Sequence, residues 1–231
     1  TLGADAFKGC AALVFDLSPD SANYVYNNGV LTDADFTSIL YIDISKTYGD
    51  FVLPDALTAI NDNAFEGTHF NKVTLSENLT SIGKNAFKNS EVKEIVWNDK
   101  LQTIGESAFE GTQLASATIA KSVTQIGNKA FQNVKTLTSL TFEKGGASAL
   151  KIGNYAFYGT SVTSVDFPNR IRMNGSTPGI GMYCFDGVET LTEITFEPAT
   201  AASPAGAMNI GDYAFRGTSL VNLEIPEYMG S

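Results

Sequence analysis

The chain has 231 residues, 43% hydrophobic and 17% charged, with 25 Asp and Glu against 15 Lys and Arg for a formal net charge of −10. That acidity argues against nucleic acid or an anionic membrane as partner, since both call for a basic face. One histidine and two cysteines supply neither a zinc ligand set nor a disulfide framework, and no apolar run reaches spanning length, so neither a cofactor nor membrane insertion is expected.

Residues 1–17 read as half of a repeating unit: Leu2-Gly3-Ala4-Asp5-Ala6-Phe7-Lys8-Gly9, then Leu13, Phe15 and Leu17 as an approximate strand. The chain starts at Thr1, partway through that unit, as expected where an export signal has been removed or a longer array cut. Residues 18–50 break the period. Asn27-Asn28-Gly29 is a turn signal between Tyr24-Val25-Tyr26 and Val30-Leu31, and a further strand is expected at Ile39–Ile42. The stretch predicts a small antiparallel strand insertion on the side or end of the main body.

From residue 51 the unit returns seven times. Aligned on its central phenylalanine it gives Phe65, Phe87, Phe109, Phe131, Phe157, Phe185 and Phe215, at steps of 22 residues to Phe131 and then 26, 28 and 30. The residue before each is small: Ala64, Ala86, Ala108, Ala130, Ala156, Cys184 and Ala214. Two residues after it stands Gly or Asn (Gly67, Asn89, Gly111, Asn133, Gly159, Gly187, Gly217), the types that best tolerate a left-handed backbone. The Ala-Phe pair therefore predicts a single helical turn. Upstream, Ile82-Gly83, Ile104-Gly105 and their equivalents predict a buried branched residue followed by a bend, with Asn61 substituting for glycine. Downstream, apolar residues alternate with polar ones, as in Ser139-Leu140-Thr141-Phe142, the pattern of a strand with one face packed and one wet. Trp97 falls in the inward column with Leu75 and Ile119, and no polar column is expected in the core.

A period in the twenties is the signature of a leucine-rich-repeat solenoid. The expected fold is α/β and strand-dominated: a parallel sheet with one short helical turn per coil, plus the antiparallel insertion. Residues 1–231 are expected to form one domain, with 1–17 a partial coil, 18–50 the insertion and 51–231 seven regular coils.

The run Ile-Gly-x-x-Ala-Phe-x-Gly-Thr/Cys-x-Leu-x-x-Ile-x-Ile-Pro resembles the Bacteroides surface protein A-like (BspA-like) leucine-rich repeat family, over residues 1–17 and 51–226. The resemblance implies a secreted or cell-surface bacterial protein that adheres to proteins of a host or a neighbouring cell.

No constellation of catalytic side chains stands out. His69 sits in a turn at a position that varies between repeats, and Asp33, Asp35 and Asp62 lack calcium-loop spacing and read as turn or surface residues. Cys184 takes the small buried slot, and Cys10, also expected to be buried, lies several coils away, so no bridge is expected. The expected function is a non-enzymatic, monomeric module that binds a protein partner. A glycan-binding module, with Tyr158 and Tyr183 as the candidate aromatics, and a structural spacer are the alternatives. Two surfaces are candidates for the partner. One is the wet sheet face around Ser116, Thr118, Ser139 and Thr141, rich in hydroxyls. The other is the loop 168–179, one of three long connections expected to project from one edge, where Arg170 and Arg172 offer positive charge and Ile171 and Met173 apolar area.

Overall fold

The computed structural model describes residues 7, 10, 13–18, 22–172, 179–198 and 209–224. Strands β1 (Tyr24–Asn27), β2 (Val30–Asp33) and β3 (Ile39–Ile42) form an antiparallel sheet in that order. The first turn places Asn28 at φ 47° and Gly29 at φ 88°, the paired positive dihedrals that suit a two-residue hairpin.

A longer strand then recurs in each coil: β4 (Thr47–Val52), β6 (His69–Thr74), β8 (Glu94–Val96), β10 (Ser116–Ile119), β12 (Ser139–Phe142), β14 (Ser164–Phe167) and β15 (Glu193–Phe196). These pair in parallel as β4–β6–β8, β10–β12 and β14–β15. The Ala115 N–H donates to the Lys93 carbonyl at 3.3 Å and carries the ladder across from β8 to β10. A second parallel sheet, which periodicity did not announce, runs along the Ile-Gly row. Its five two-residue strands are β5 (Ala59–Ile60), β7 (Ser81–Ile82), β9 (Thr103–Ile104), β11 (Gln125–Ile126) and β13 (Lys151–Ile152). Bridges from Ile152 to Ile180 and from Ile180 to Ile210 extend it.

Between the sheets lies the core, and its spine is the phenylalanine column. Phe65, Phe87, Phe109, Phe131, Phe157, Phe185 and Phe215 stack in order with ring centroids 4.7 to 5.6 Å apart and planes within 16° of parallel. Each stacked pair is worth about 0.5–1.5 kcal/mol beyond the area it buries.

The expected helical turn does not form. At the first phenylalanine turn, the N–H groups of Asn63, Phe65 and Gly67 donate along the stack to the carbonyls of Lys84, Ala86 and Lys88. Those of Ala64, Glu66 and Thr68 close local four-residue turns instead, each donating to the carbonyl three residues back. Alternate amides are thus spent on the neighbouring coil, so no run of i to i−4 bonds can build. The left-handed residues after the phenylalanines are where the Gly/Asn column put them, from Gly67 at φ 68° to Gly217 at φ 69°. A second left-handed column precedes the phenylalanines and holds bulkier residues: Asn63, Asn85, Ser107, Lys129, Tyr155, Tyr183 and Tyr213.

Two further expectations change. The glycines after Ile82 and Ile104 are needed for proximity and not for a bend, since neither has a positive φ. A Cβ on Gly105 would lie 2.6 Å from the carbonyl carbon of Gly83. Asn61 is tolerated because β5 is the edge of its sheet. The core also has a polar column: Thr68, Thr112 and Thr160 are buried, and each hydroxyl donates to the carbonyl of the phenylalanine three residues back. Val134 and Val188 fill the same slot without a hydroxyl. The inward strand positions are buried as expected from Phe70 to Ile194 with the exception of Trp97, and beyond them Phe196 and Leu220 are only partly buried. Trp97, larger than the Leu75 and Ile119 beside it, is only half-buried, edge-on to Phe109 at 5.5 Å. Leu223 is exposed.

Candidate interaction face

The polar positions of the main strands fall into two straight rows because parallel pairing holds successive coils in register. On β10 and β12, Ser116 lies opposite Ser139 and Thr118 opposite Thr141. All four side chains are exposed, while Ala117, Ile119, Leu140 and Phe142 between them point into the core. The rows continue to Ser164 opposite Glu193 and Asp166 opposite Thr195 on one side, and to Lys72 opposite Glu94 and Thr74 opposite Val96 on the other. The neutral, hydroxyl-bearing centre is therefore flanked by charge.

Ion pairs between adjacent coils settle those flanks. Lys72 meets Glu94 at 2.8 Å and Lys144 meets Asp166 at 2.6 Å. The hydrogen bond and charge of Glu94 raise the Lys72 pKa. Partial burial pushes the Asp166 carboxyl up, but hydrogen bonds from Lys144 and Thr195 together with the Lys144 charge outweigh it, and the net shift is down. Lys144 belongs to the connection 143–149, exposed from Lys144 onward. A depression of about 630 Å³ is lined by Ser139, Thr141, Lys144, Thr163, Ser164 and Asp166.

The loop candidate turns out differently. Arg170, Ile171 and Arg172 are buried, not projected, and Met173 lies outside the described residues. Ile171 bridges to Leu150 and fills the core column held by Leu79, Leu101 and Val123 in earlier coils. The Arg170 side chain passes Gly146, where a Cβ would stand 3.3 Å from its Cδ, and its guanidinium donates to the carbonyls of Val123 (2.5 Å) and Ala120 (3.2 Å). Burial pushes its pKa down to about 10 despite Glu143 and Glu197 nearby. Arg172 donates to the Ile171 carbonyl at 2.7 Å. Neither arginine offers an exposed guanidinium to a partner.

A surface feature absent from the sequence reading is a tyrosine ladder. Tyr155, Tyr183 and Tyr213 occupy the left-handed column before the phenylalanines and stack at 4.8 and 5.0 Å. Arg216 sits beside Tyr183 and Tyr213 and is held by a bidentate pair with Asp186 at 2.7 and 2.8 Å. The recurrence of Tyr two residues before Phe was the available signal. Tyr183 has a ring on each face, and Tyr158 packs edge-on to Tyr155. Little ring face is left for a sugar at Tyr183, which weighs against the glycan reading there.

Among the described residues, no group of three or more His, Cys, Asp or Glu side chains could hold a metal ion. His69 pairs with Glu91 at 3.2 Å, Asp62 accepts from the Lys84 N–H, and Asp33 caps the turn at Thr37 and Ser38, so these residues have structural partners. Cys184 is buried, which pushes its thiol pKa up, whereas Cys10 is exposed, contrary to expectation; Phe7 and Phe15 pack on Tyr41 of the insertion. No described helix is long and apolar enough to cross a membrane.

The family described as BspA type Leucine rich repeat region matches in six copies across residues 44–149 and 150–231. No curated protein matches the chain in sequence. Among solved structures, the pneumococcal vaccine antigen PcpA is similar with a TM-score of 0.58 at 17% identity, over 75% of this chain and 49% of its own. A leucine-rich repeat protein from Eubacterium ventriosum has a TM-score of 0.53 at 21% identity, over 90% of this chain and 53% of its own. The leucine-rich repeat protein TpLRR of T. pallidum has a TM-score of 0.57 at 20% identity, over 87% of this chain and 89% of its own. The chain spans about half the length of the first two. Their likeness establishes the solenoid fold, and the family match covers most of the residues that build it. The chain belongs to the BspA-type leucine-rich repeat family.

Proposed function

We propose that this chain is a non-enzymatic interaction module of an exported or surface-held bacterial protein, and that it binds a partner protein of a host or neighbouring cell across the outer face of β10 and β12. The observation that carries the reading is the in-register, exposed set Ser116, Ser139, Thr118 and Thr141 on a rigid sheet. Rigid repeat stacks offer extended binding surfaces at little ordering cost. Exposed hydroxyls flanked by settled ion pairs can hydrogen-bond a partner without stripping water from an unpaired charge. Family membership and the likeness to a pneumococcal vaccine antigen support a surface location.

The test is binding of the purified chain to epithelial cells and to immobilised extracellular-matrix proteins, compared with a Thr118→Arg, Thr141→Arg variant. Both side chains are exposed, so the variant should melt as the parent does and bind at least about tenfold more weakly. Equal binding by the two proteins would remove this face. Saturable binding to a glycan array with none to proteins would replace the reading by the glycan one.

A further inference from the structure

The strand β4 is the edge of the main sheet. Its Leu53 neighbour donates its N–H to Thr74 of the next coil at 2.9 Å, so by the alternation of a parallel ladder the N–H groups of Asp50 and Val52 point the other way. No described strand pairs with that edge. Along it runs a cleft of about 370 Å³. All six residues of β4 line it, whichever way their side chains alternate, as a main-chain edge would. The opposite wall comes from the insertion and includes Val30, Phe36 and Ile39.

Two features of that wall are unusual. Thr32 also lines the cleft; it is only 6% exposed, and its hydroxyl has no hydrogen-bond partner. Phe36 is 41% exposed and held at φ 55°, a strained backbone for a bulky residue. The chain's own strand-like segment is engaged elsewhere. Leu13 donates its N–H to Tyr41 Oη and accepts from Tyr26 Oη, and Phe15 packs on both rings.

We infer that the β4 edge is a docking site for an extended peptide segment of a partner protein, which adds to the sheet as its next strand. Charge points to the segment's chemistry. The outer row reads Asp50, Lys72, Glu94 across successive strands, so a basic residue opposite Asp50 continues the alternation, and the chain as a whole carries −10. Its inward residues would be apolar, against the wall of the cleft. This site lies at an edge of the sheet and does not depend on the hydroxyl-bearing face.

The probe is a fluorescently labelled, N-acetylated peptide alternating valine and lysine, with a valine–glutamate peptide as control. The basic peptide should bind saturably and protect the amides of Asp50 and Val52 from hydrogen exchange, and the acidic one should do neither. Val52→Pro, which removes an outward N–H without touching the β6 ladder, should weaken binding about tenfold. Thr32→Val should weaken it less. Binding unchanged by Val52→Pro, or protection spread over the acidic surface, would overturn the proposal. So would absence of binding, or protection of these amides in the free chain. Protection that rises with protein concentration alone would make the occupant a second copy and also overturn it. If Val52→Pro fails to fold, exchange on the unaltered chain decides.

Discussion

The Arg170 guanidinium donates to the carbonyl of Val123, 47 residues back and two coils away. It reaches there past the intervening coil, which turns at Gly145-Gly146, both left-handed; the Ala120 carbonyl it also reaches accepts the Val123 N–H as well, at 3.0 Å. Asn98 serves the equivalent pair of carbonyls earlier in the stack, donating to Ser76 and Leu79. Arginine is thus a long-reach substitute for an asparagine side chain. Arg170→Ala should destabilise by about 2–4 kcal/mol, from the cavity and the abandoned Val123 carbonyl. Arg170→Met keeps most of the volume and should cost less. Urea unfolding of the two variants checks this, and an Arg170→Ala protein as stable as the parent would refute it.

What could be read in the sequence follows from which forces are local. The phenylalanine column, the left-handed Gly/Asn column and the alternating strands repeat within one coil, so a single period exposes them. The second sheet escaped because strands of two residues, such as Ser81–Ile82, are too short to alternate. Arg170 escaped because its direction is decided by the previous coil's insertion, and a charged residue in a long connection reads as exposed. The hydroxyl rows were legible, since pairing in register turns a column of the alignment into a row on the surface. The β4 edge was not: it depends on where the insertion's wall stands, which no periodicity encodes.

The glycine row sets how closely the coils approach. On Gly105 or Gly127 a Cβ would lie 2.6 Å from the carbonyl carbon of the glycine one coil earlier, and no side-chain rotation can relieve a backbone clash. Gly105→Ala or Gly127→Ala should each destabilise by about 1–3 kcal/mol or more. Asn61→Gly, at the sheet edge, should change stability by no more than about 1 kcal/mol. Equal losses at all three positions, measured by urea unfolding, would show that the row is not set by proximity.

Trp97 is a built-in reporter of the middle of the stack. Half-buried and edge-on to Phe109, its native emission should fall between that of a fully buried indole and free tryptophan, and shift red on unfolding. Acrylamide should quench it partially. Phe109→Leu removes the ring it leans on and should raise that quenching. A native spectrum already at the free-tryptophan position would mean that this part of the column is open.

Tyr48 ties the insertion to the first coil and should give the protein an alkaline limit. Its ring stacks on Phe70 at 4.6 Å, and its hydroxyl donates to the Asp43 carbonyl at 3.1 Å. Burial, reinforced by the Asp43 charge, raises its pKa from 10.0 to about 12. The folded state therefore holds the proton more tightly than the unfolded chain does. The stabilisation is fully present below pH 10 and is lost as pH rises from 10 through about 12. Urea midpoints should accordingly stay level up to pH 10 and fall above it. Tyr48→Phe should be less stable at neutral pH, having lost the hydrogen bond, but its midpoint should fall less steeply in the alkaline range. An equally steep fall in Tyr48→Phe would assign the alkaline limit to other groups, among them Tyr41, which burial shifts in the same direction.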